Sequence, residues 1–183
     1  MKLTEQQRQY VNTLGTLHVS NEMDWLPVDF SVGGDPSGYS VDMIRVLSRM
    51  IGLKTEFVNG YSWAELVNMF NTGELEMLQP VVAIDKTRDE LTQPVIDMPF
   101  ALVRRADAEE ITDLSDLNGK TLALIGGWSI VSVLNEKYPQ IKLQSMRSLR
   151  DALRAVEQGK ADAAIDAEVV LRQTLQQQYM KGL

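Results

Sequence analysis

Short apolar runs alternate with amphipathic stretches along nearly the whole chain, and this alternation restricts its fold more than any other feature. Apolar residues at three- and four-residue spacing mark helices near Thr4–Leu14, Val41–Met50, Trp63–Phe70, Ile130–Lys137, Leu149–Gln158 and Glu168–Met180. Between them lie candidate strands at Leu17–Ser20, Lys54–Val58, Glu76–Val82, Phe100–Arg104, Thr121–Ile125, Lys142–Met146 and Asp162–Ile165. Asn21–Ser37, with Pro27, Pro36 and Gly33-Gly34, reads as a loop, and Lys86–Leu91 as a short polar helix. Strands separated by helices imply parallel sheet and an α/β class.

An internal repeat sharpens this reading. Ser62–Gly73 aligns without gaps on Ser148–Gly159, so that each copy has a serine to cap a helix, an acid three residues on (Glu65, Asp151) and a glycine past its end. Any two capped amphipathic helices share these marks, but the pair suggests two similar α/β lobes. The expected division is lobe 1 over 1–100, a hinge over 101–112 containing the polar run Arg104–Glu110, and lobe 2 over 113–183.

Composition removes several function classes. The chain has 183 residues, a formal net charge of -7 and no cysteine, which excludes a disulfide scaffold, a thiolate metal site and a cysteine nucleophile. The acidic balance, with no Lys/Arg cluster beyond Arg104-Arg105, argues against a nucleic-acid partner. No apolar run reaches the ~18 residues a membrane span needs, and the opening Met1–Gln7 has no apolar signal core. The reading is of a soluble piece of a longer precursor.

In open α/β sheets ligands bind beyond the carboxyl ends of the strands, so the residues that follow each strand are the candidates. Trp25, Trp63 and Trp128 each follow one, and indole is a broad apolar surface suited to covering a small molecule; core burial is the competing reading. Arg88 follows the strand ending near Ala83 and offers a bidentate grip on a carboxylate, unless it is a surface residue paired with Asp85 or Asp89. Gly126-Gly127-Trp128-Ser129 forms a strand-to-helix junction whose amides and hydroxyl suit an anion, or else an ordinary glycine turn. It lacks a dinucleotide fingerprint and a P-loop ending. Asp166 and Glu168 follow the last strand and suit a cationic group, or act as solvated caps.

Enzymatic chemistry finds little support. The one histidine, His18, lies in an apolar strand and reads as structural, with no His-x-x-x-His pair and no Gly-x-Ser-x-Gly elbow. Asp107, Glu109, Glu110, Asp113 and Asp116 fall in what reads as solvated linker. No cofactor or metal is expected.

The motifs, taken in order, resemble the bacterial family 3 extracellular solute-binding proteins. The similarity is carried by Val19–Pro27, Gly38–Leu47, Phe57–Leu66, Asn71–Leu78, Asp85–Arg88, Leu91–Pro94, Leu114–Lys120 and Gly159–Ala164, spanning nearly the whole chain. Within that family, the Ser62-Trp63 helix start, the Gly126–Ser129 turn and the Leu3–Gln7 opening look closest to the Venus flytrap sensor domains of membrane-bound histidine kinases. The resemblance implies a two-lobed, periplasmic-binding-protein-like (type II) fold with a ligand held between lobes. It also implies a periplasmic location and closure transmitted to a membrane-anchored receptor portion.

By the same resemblance Glu22 stands near the family's acidic lobe-1 position, Trp25 and Trp63 take places of ligand-covering aromatics, and Arg88 and Ser129 match the groups that hold a ligand carboxylate. Two departures bear on the ligand. Val81 and Ala83 replace small hydroxyl residues before the arginine, and Ala167 replaces the amine-pairing aspartate, although a one-residue shift brings in Asp166. An organic anion without an amine is therefore as compatible as an amino acid. The family's second lobe also ends with a further strand and a return to lobe 1, which Gln173–Leu183 does not supply; the expected fold is a truncated one, with an exposed edge that favours a homodimer.

The expected function is a non-enzymatic sensor domain that closes around a small carboxylate-bearing molecule. The alternatives are the solute-binding subunit of an ABC uptake system for amino or organic acids, and a dehydratase-like enzyme on the same fold with Glu22 or Glu168 as acid.

Overall fold

The computed structural model describes residues 3–81 and 91–178. The chain divides into two compact units, Met1–Val81 and Val82–Leu183.

In the first unit α1 (Glu5–Thr13) opens with a reciprocal capping box between Thr4 and Gln7. β1 (Thr16–Ser20) pairs in parallel with β5 (Lys54–Val58), from Thr16 opposite Lys54 to Ser20 opposite Val58. The connection between two parallel strands must cross over, and it holds α2 (Tyr39–Ile51), which ends at Gly52 in the left-handed conformation. α3 (Trp63–Thr72) follows β5, with Ser62 and Glu65 forming a capping box and Gly73 left-handed past its end. Val19, Val41, Leu66 and Leu75 are buried in this unit.

Two elements here differ from the sequence expectation. Asn21–Ser37 is not a plain loop: it folds into an antiparallel meander of β2 (Asp24–Trp25), β3 (Asp29–Val32) and β4 (Asp35–Ser37). The turn joining β3 to β4 is Gly33-Gly34, both at positive φ, the backbone a two-residue hairpin of matching twist demands. Of the expected strand at Glu76–Val82, the described part keeps only a parallel bridge between Val19 and Met77. The expected polar helix at Lys86–Leu91 lies, but for Leu91, outside the described residues.

The second unit is a four-stranded sheet in the order β6 (Phe100–Arg104), β9 (Ala163–Ala167), β7 (Thr121–Ile125), β8 (Lys142–Met146). β7 runs parallel to both β8 and β9, while β6 runs antiparallel to β9 with Phe100 opposite Ala167 and Arg104 opposite Ala163. The sheet is thus mixed rather than all parallel. β6 is integral to it, so residues 101–104 belong to this sheet.

α4 (Ile130–Lys137), α5 (Leu149–Glu157) and α6 (Glu168–Gln178) alternate with the strands. α5 presents Leu149, Ala152, Leu153, Ala155 and Val156 as one buried stripe and packs on β7 and β9. The repeat seen in sequence holds in space: Ser148 accepts the Asp151 N–H at 3.2 Å, as Ser62 accepts that of Glu65, and Gly159, like Gly73, is left-handed. Asp113 and Asp116 are not a bare solvated run. They cap a 3-10 turn at Leu114–Leu117, and the N–H and hydroxyl donors of Ser115, Thr112 and Asp113 hold both carboxyls below their usual range.

Candidate functional site

The first unit's site is built at the carboxyl ends of β1 and β5, the edge where an α/β sheet leaves backbone and side chains free to meet a ligand. Beyond β1 the chain runs through Asn21 and Glu22 to Trp25. Beyond β5 it turns at Asn59 and Gly60 into α3, whose first residue is Trp63. Gln79 follows the Met77 bridge on the same edge.

A buried polar network holds this edge together. Asp29 is fully buried. Its Oδ1 accepts the Asn21 side-chain amide at 2.6 Å and that of Gln79 at 3.3 Å, while Oδ2 accepts the Glu22 backbone N–H at 2.9 Å. Gln79 also donates from Nε2 to the Ser20 carbonyl at 2.7 Å, and its backbone N–H donates to Ser20 Oγ at 2.7 Å. Asn21 is fixed in turn by Asn59, whose amide donates to Asn21 Oδ1 at 3.2 Å and to the Gly34 carbonyl at 2.7 Å. One carboxyl therefore ties together the end of β1, the start of β3 and the Gln79 segment, and Asn59 joins them to the end of β5.

Burial pushes the Asp29 carboxyl up to about 7 against an ordinary 3.8, with the three N–H donors pulling the other way. A carboxyl that binds its proton more tightly folded than unfolded adds stability in full below its unfolded pKa and loses it as pH rises through the folded value. For Asp29 that loss runs between about 3.8 and about 7.

The sequence candidates stand as follows. Trp25, Trp63 and Trp128 are only 2%, 6% and 8% exposed, and Glu22 is buried with its backbone N–H on Asp29. Glu22, Trp25 and Trp63 share the strand-end edge of the first unit. Arg88 lies outside the described residues. In the second unit Trp128 and Ser129 follow β7, and the Trp128 ring meets Phe100 edge-on at 6.0 Å. Ser129 occupies the N-cap of α4 without capping it through its side chain.

Asp166 differs from its expected place in a turn after the strand. It lies within β9, opposite Ala101, fully buried, with Oδ1 accepting the Ala167 N–H at 2.6 Å. Glu168 begins α6 and pairs with Arg172 one turn on, at 2.7 Å. His18 is tied to Glu76 through both its backbone N–H, at 2.7 Å, and Nδ1, at 3.1 Å. The backbone N–H of His18 is the main cause that keeps the Glu76 carboxyl below its usual range. Among the described residues no group of three or more acidic, histidine or cysteine side chains is placed to hold a metal, and no helix is long and apolar enough to cross a membrane.

The Asn21–Asp29–Gln79 network was not read from the sequence, though a signal existed. Asn21 and Asn59 directly follow β1 and β5, the rule that picked out the tryptophans; Asp29 alone gave only an acid beside the apolar Pro27-Val28.

The comparisons agree with this architecture. The virulence sensor protein BvgS of Bordetella pertussis is 24% identical over 135 residues, 72% of this chain and 11% of BvgS. The crystal structure of its periplasmic VFT2 domain superposes with a TM-score of 0.80 at 20% identity, covering 99% of this chain and 78% of that one. The probable amino-acid-binding protein YxeM of Bacillus subtilis is 25% identical over 160 residues, 85% of this chain and 60% of YxeM. A histidine kinase sensor domain with similarity to periplasmic binding proteins gives a TM-score of 0.82 at 26% identity, covering 90% and 73%. This chain thus spans less than two thirds of either relative's full length. The profile of the family extends over residues 17–177, from β1 into α6, and the chain belongs to the bacterial extracellular solute-binding proteins, family 3.

Proposed function

We propose that this chain is an extracytoplasmic sensor domain that closes around a small carboxylate-bearing molecule, an organic acid or an amino acid, and signals to a membrane-bound kinase or related output. The observation that carries the reading is the fold match to a histidine kinase sensor domain at a TM-score of 0.82, joined to a family profile covering residues 17–177. The periplasmic BvgS domain supports the same placement outside the membrane.

In this reading the two units serve as lobes. Trp25, Trp63 and Trp128 are the apolar walls, Arg88 and Ser129 the carboxylate anchors, and Glu22 and Asp166 further ligand-binding candidates. Closure is a population shift, so a ligand drives it only by binding the closed state more tightly than the open one. The role in this reading is binding without turnover. The similarity to YxeM over 85% of the chain favours a second reading, the solute-binding subunit of an uptake system.

Arg88→Ala tests the assignment of the anchor. A bidentate charge-assisted grip supplies ~3 kcal/mol, so the variant is expected to lose on the order of 100-fold in affinity for a carboxylate ligand, measured by isothermal titration. Undiminished affinity removes Arg88 from the site.

A further inference from the structure

Among the described residues the Asp29 carboxyl has three donors and no counter-charge. Its partners are all N–H groups, from Asn21, Glu22 and Gln79. The elements around it carry His18 on β1, turned to Glu76, Glu22 after β1, Asp24 on β2 and Asp35 on β4. α2 adds Asp42, paired with Arg45, and Arg49; β5 adds Lys54 and Glu56. Among the described residues the Asp29 environment is set by burial and hydrogen bonds alone, with no cation contributing. An ionised carboxylate suits three donors but pays full desolvation. A neutral carboxyl relieves that cost, yet its O–H then faces donors only.

Gln79 resolves the conflict. Gln79 is 5% exposed, its Nε2 bonds Asp29 and the Ser20 carbonyl, and its Oε1 is a buried acceptor without a hydrogen-bond partner among the described residues. A buried acceptor without a partner, beside a carboxyl that can become a donor, gains one when that carboxyl takes a proton.

We propose that Asp29 and Gln79 form a proton-operated latch on the strand-end edge of the first unit. With Asp29 ionised, its oxygens take the N–H groups of Asn21, Glu22 and Gln79 and hold the segment after β1 against β3. A proton taken from solvent converts one oxygen to O–H, which Gln79 Oε1 accepts. The N–H groups that oxygen had held are released: that of Glu22 from Oδ2, or those of Asn21 and Gln79 from Oδ1, where Asn21 keeps the Phe30 carbonyl as its second acceptor. Acid therefore loosens the segment that leads into Trp25, and the raised proton affinity of Asp29 puts the change near neutrality. A consequence for ligand affinity, falling with acid, rests on the proposed function. The latch itself is a property of the unliganded protein.

The test is a carbon-13 NMR titration of the Asp29 carboxyl in the unliganded protein, read with the side-chain amide of Gln79 and the backbone amides of Asn21 and Glu22. One shared midpoint near 7 is expected in all of them. A carboxyl midpoint in the ordinary range, or one near 7 that leaves Gln79 and Glu22 unmoved, overturns the latch. In Asp29→Asn the Asn21 and Glu22 amides are expected to lose that transition; its persistence assigns it to another group and also overturns the proposal. Should Asp29→Asn not fold, the wild-type titration decides alone. Loss of ligand binding at every pH with the shared transition intact would count against the functional reading and not the latch.

Discussion

Replacing Gly38 with alanine is expected to destabilise the first unit by ~3 kcal/mol or more. Gly38 stands at the N-cap of α2 with φ +116°, a conformation that side chains rarely adopt. A Cβ there meets the Val28 carbonyl oxygen at 2.4 Å and its carbon at 2.7 Å. Neither can retreat, because that oxygen accepts both the Ser40 N–H at 3.0 Å and the Ser40 hydroxyl at 2.9 Å. Val28 itself is buried beside Asp29. Relief of the clash therefore breaks either the start of α2 or the β3 strand that carries the Asp29 network. Amide hydrogen exchange of β1 and β5 reads the stability of this unit by itself. A loss below about 1 kcal/mol contradicts the account of why this position is glycine.

The second large effect is expected in the other unit. Leu153 is fully buried at the centre of the α5 stripe that packs on β7 and β9. Truncating a buried leucine to alanine costs ~2–5 kcal/mol, the transfer of the lost methyl groups plus the cavity left behind. Leu153→Ala is expected to fall within that range. Exchange of the β7 and β9 amides is the readout. A cost under about 1 kcal/mol shows that α5 is not what fixes these two strands, and so not what positions Trp128 after β7 and Asp166 within β9.

The sequence disclosed most of the elements because they depend on local chemistry. Ser62 and Ser148 cap helices wherever those helices pack, and Gly73 and Gly159 end them through their own backbone freedom. The central strands of the second unit were legible because burial on both faces leaves Thr121–Ile125 and Ala163–Ala167 almost wholly apolar. What escaped was long-range. Phe100–Arg104 was legible as a strand, but nothing in it tells that it pairs antiparallel with Ala163–Ala167 about 60 positions later. The Gly33-Gly34 turn was visible, but its two flanks, Asp29–Val32 and Asp35–Ser37, are too short and polar to announce a hairpin.

The candidate site was legible in the same uneven way. Following each strand to its carboxyl end found Trp25, Trp63 and Trp128. It placed Asp166 one step too late, because β9 runs on to Ala167 and takes the acid inside. The polar network went unseen for a physical reason: Asp29, eight residues beyond Asn21, and Gln79, fifty beyond Asp29, have no reason to meet until β1, β3 and the Met77 bridge are in register.

The central claim is that this domain binds a small carboxylate-bearing molecule. It is tested most directly by adding a panel of amino acids and organic acids while following intrinsic tryptophan fluorescence and the melting temperature. The account predicts a saturable fluorescence change for at least one carboxylate, with a melting temperature that rises with its concentration, since a ligand that binds only the folded state stabilises by mass action. Silence in both signals across the panel, or saturable binding confined to compounds without a carboxylate, contradicts it.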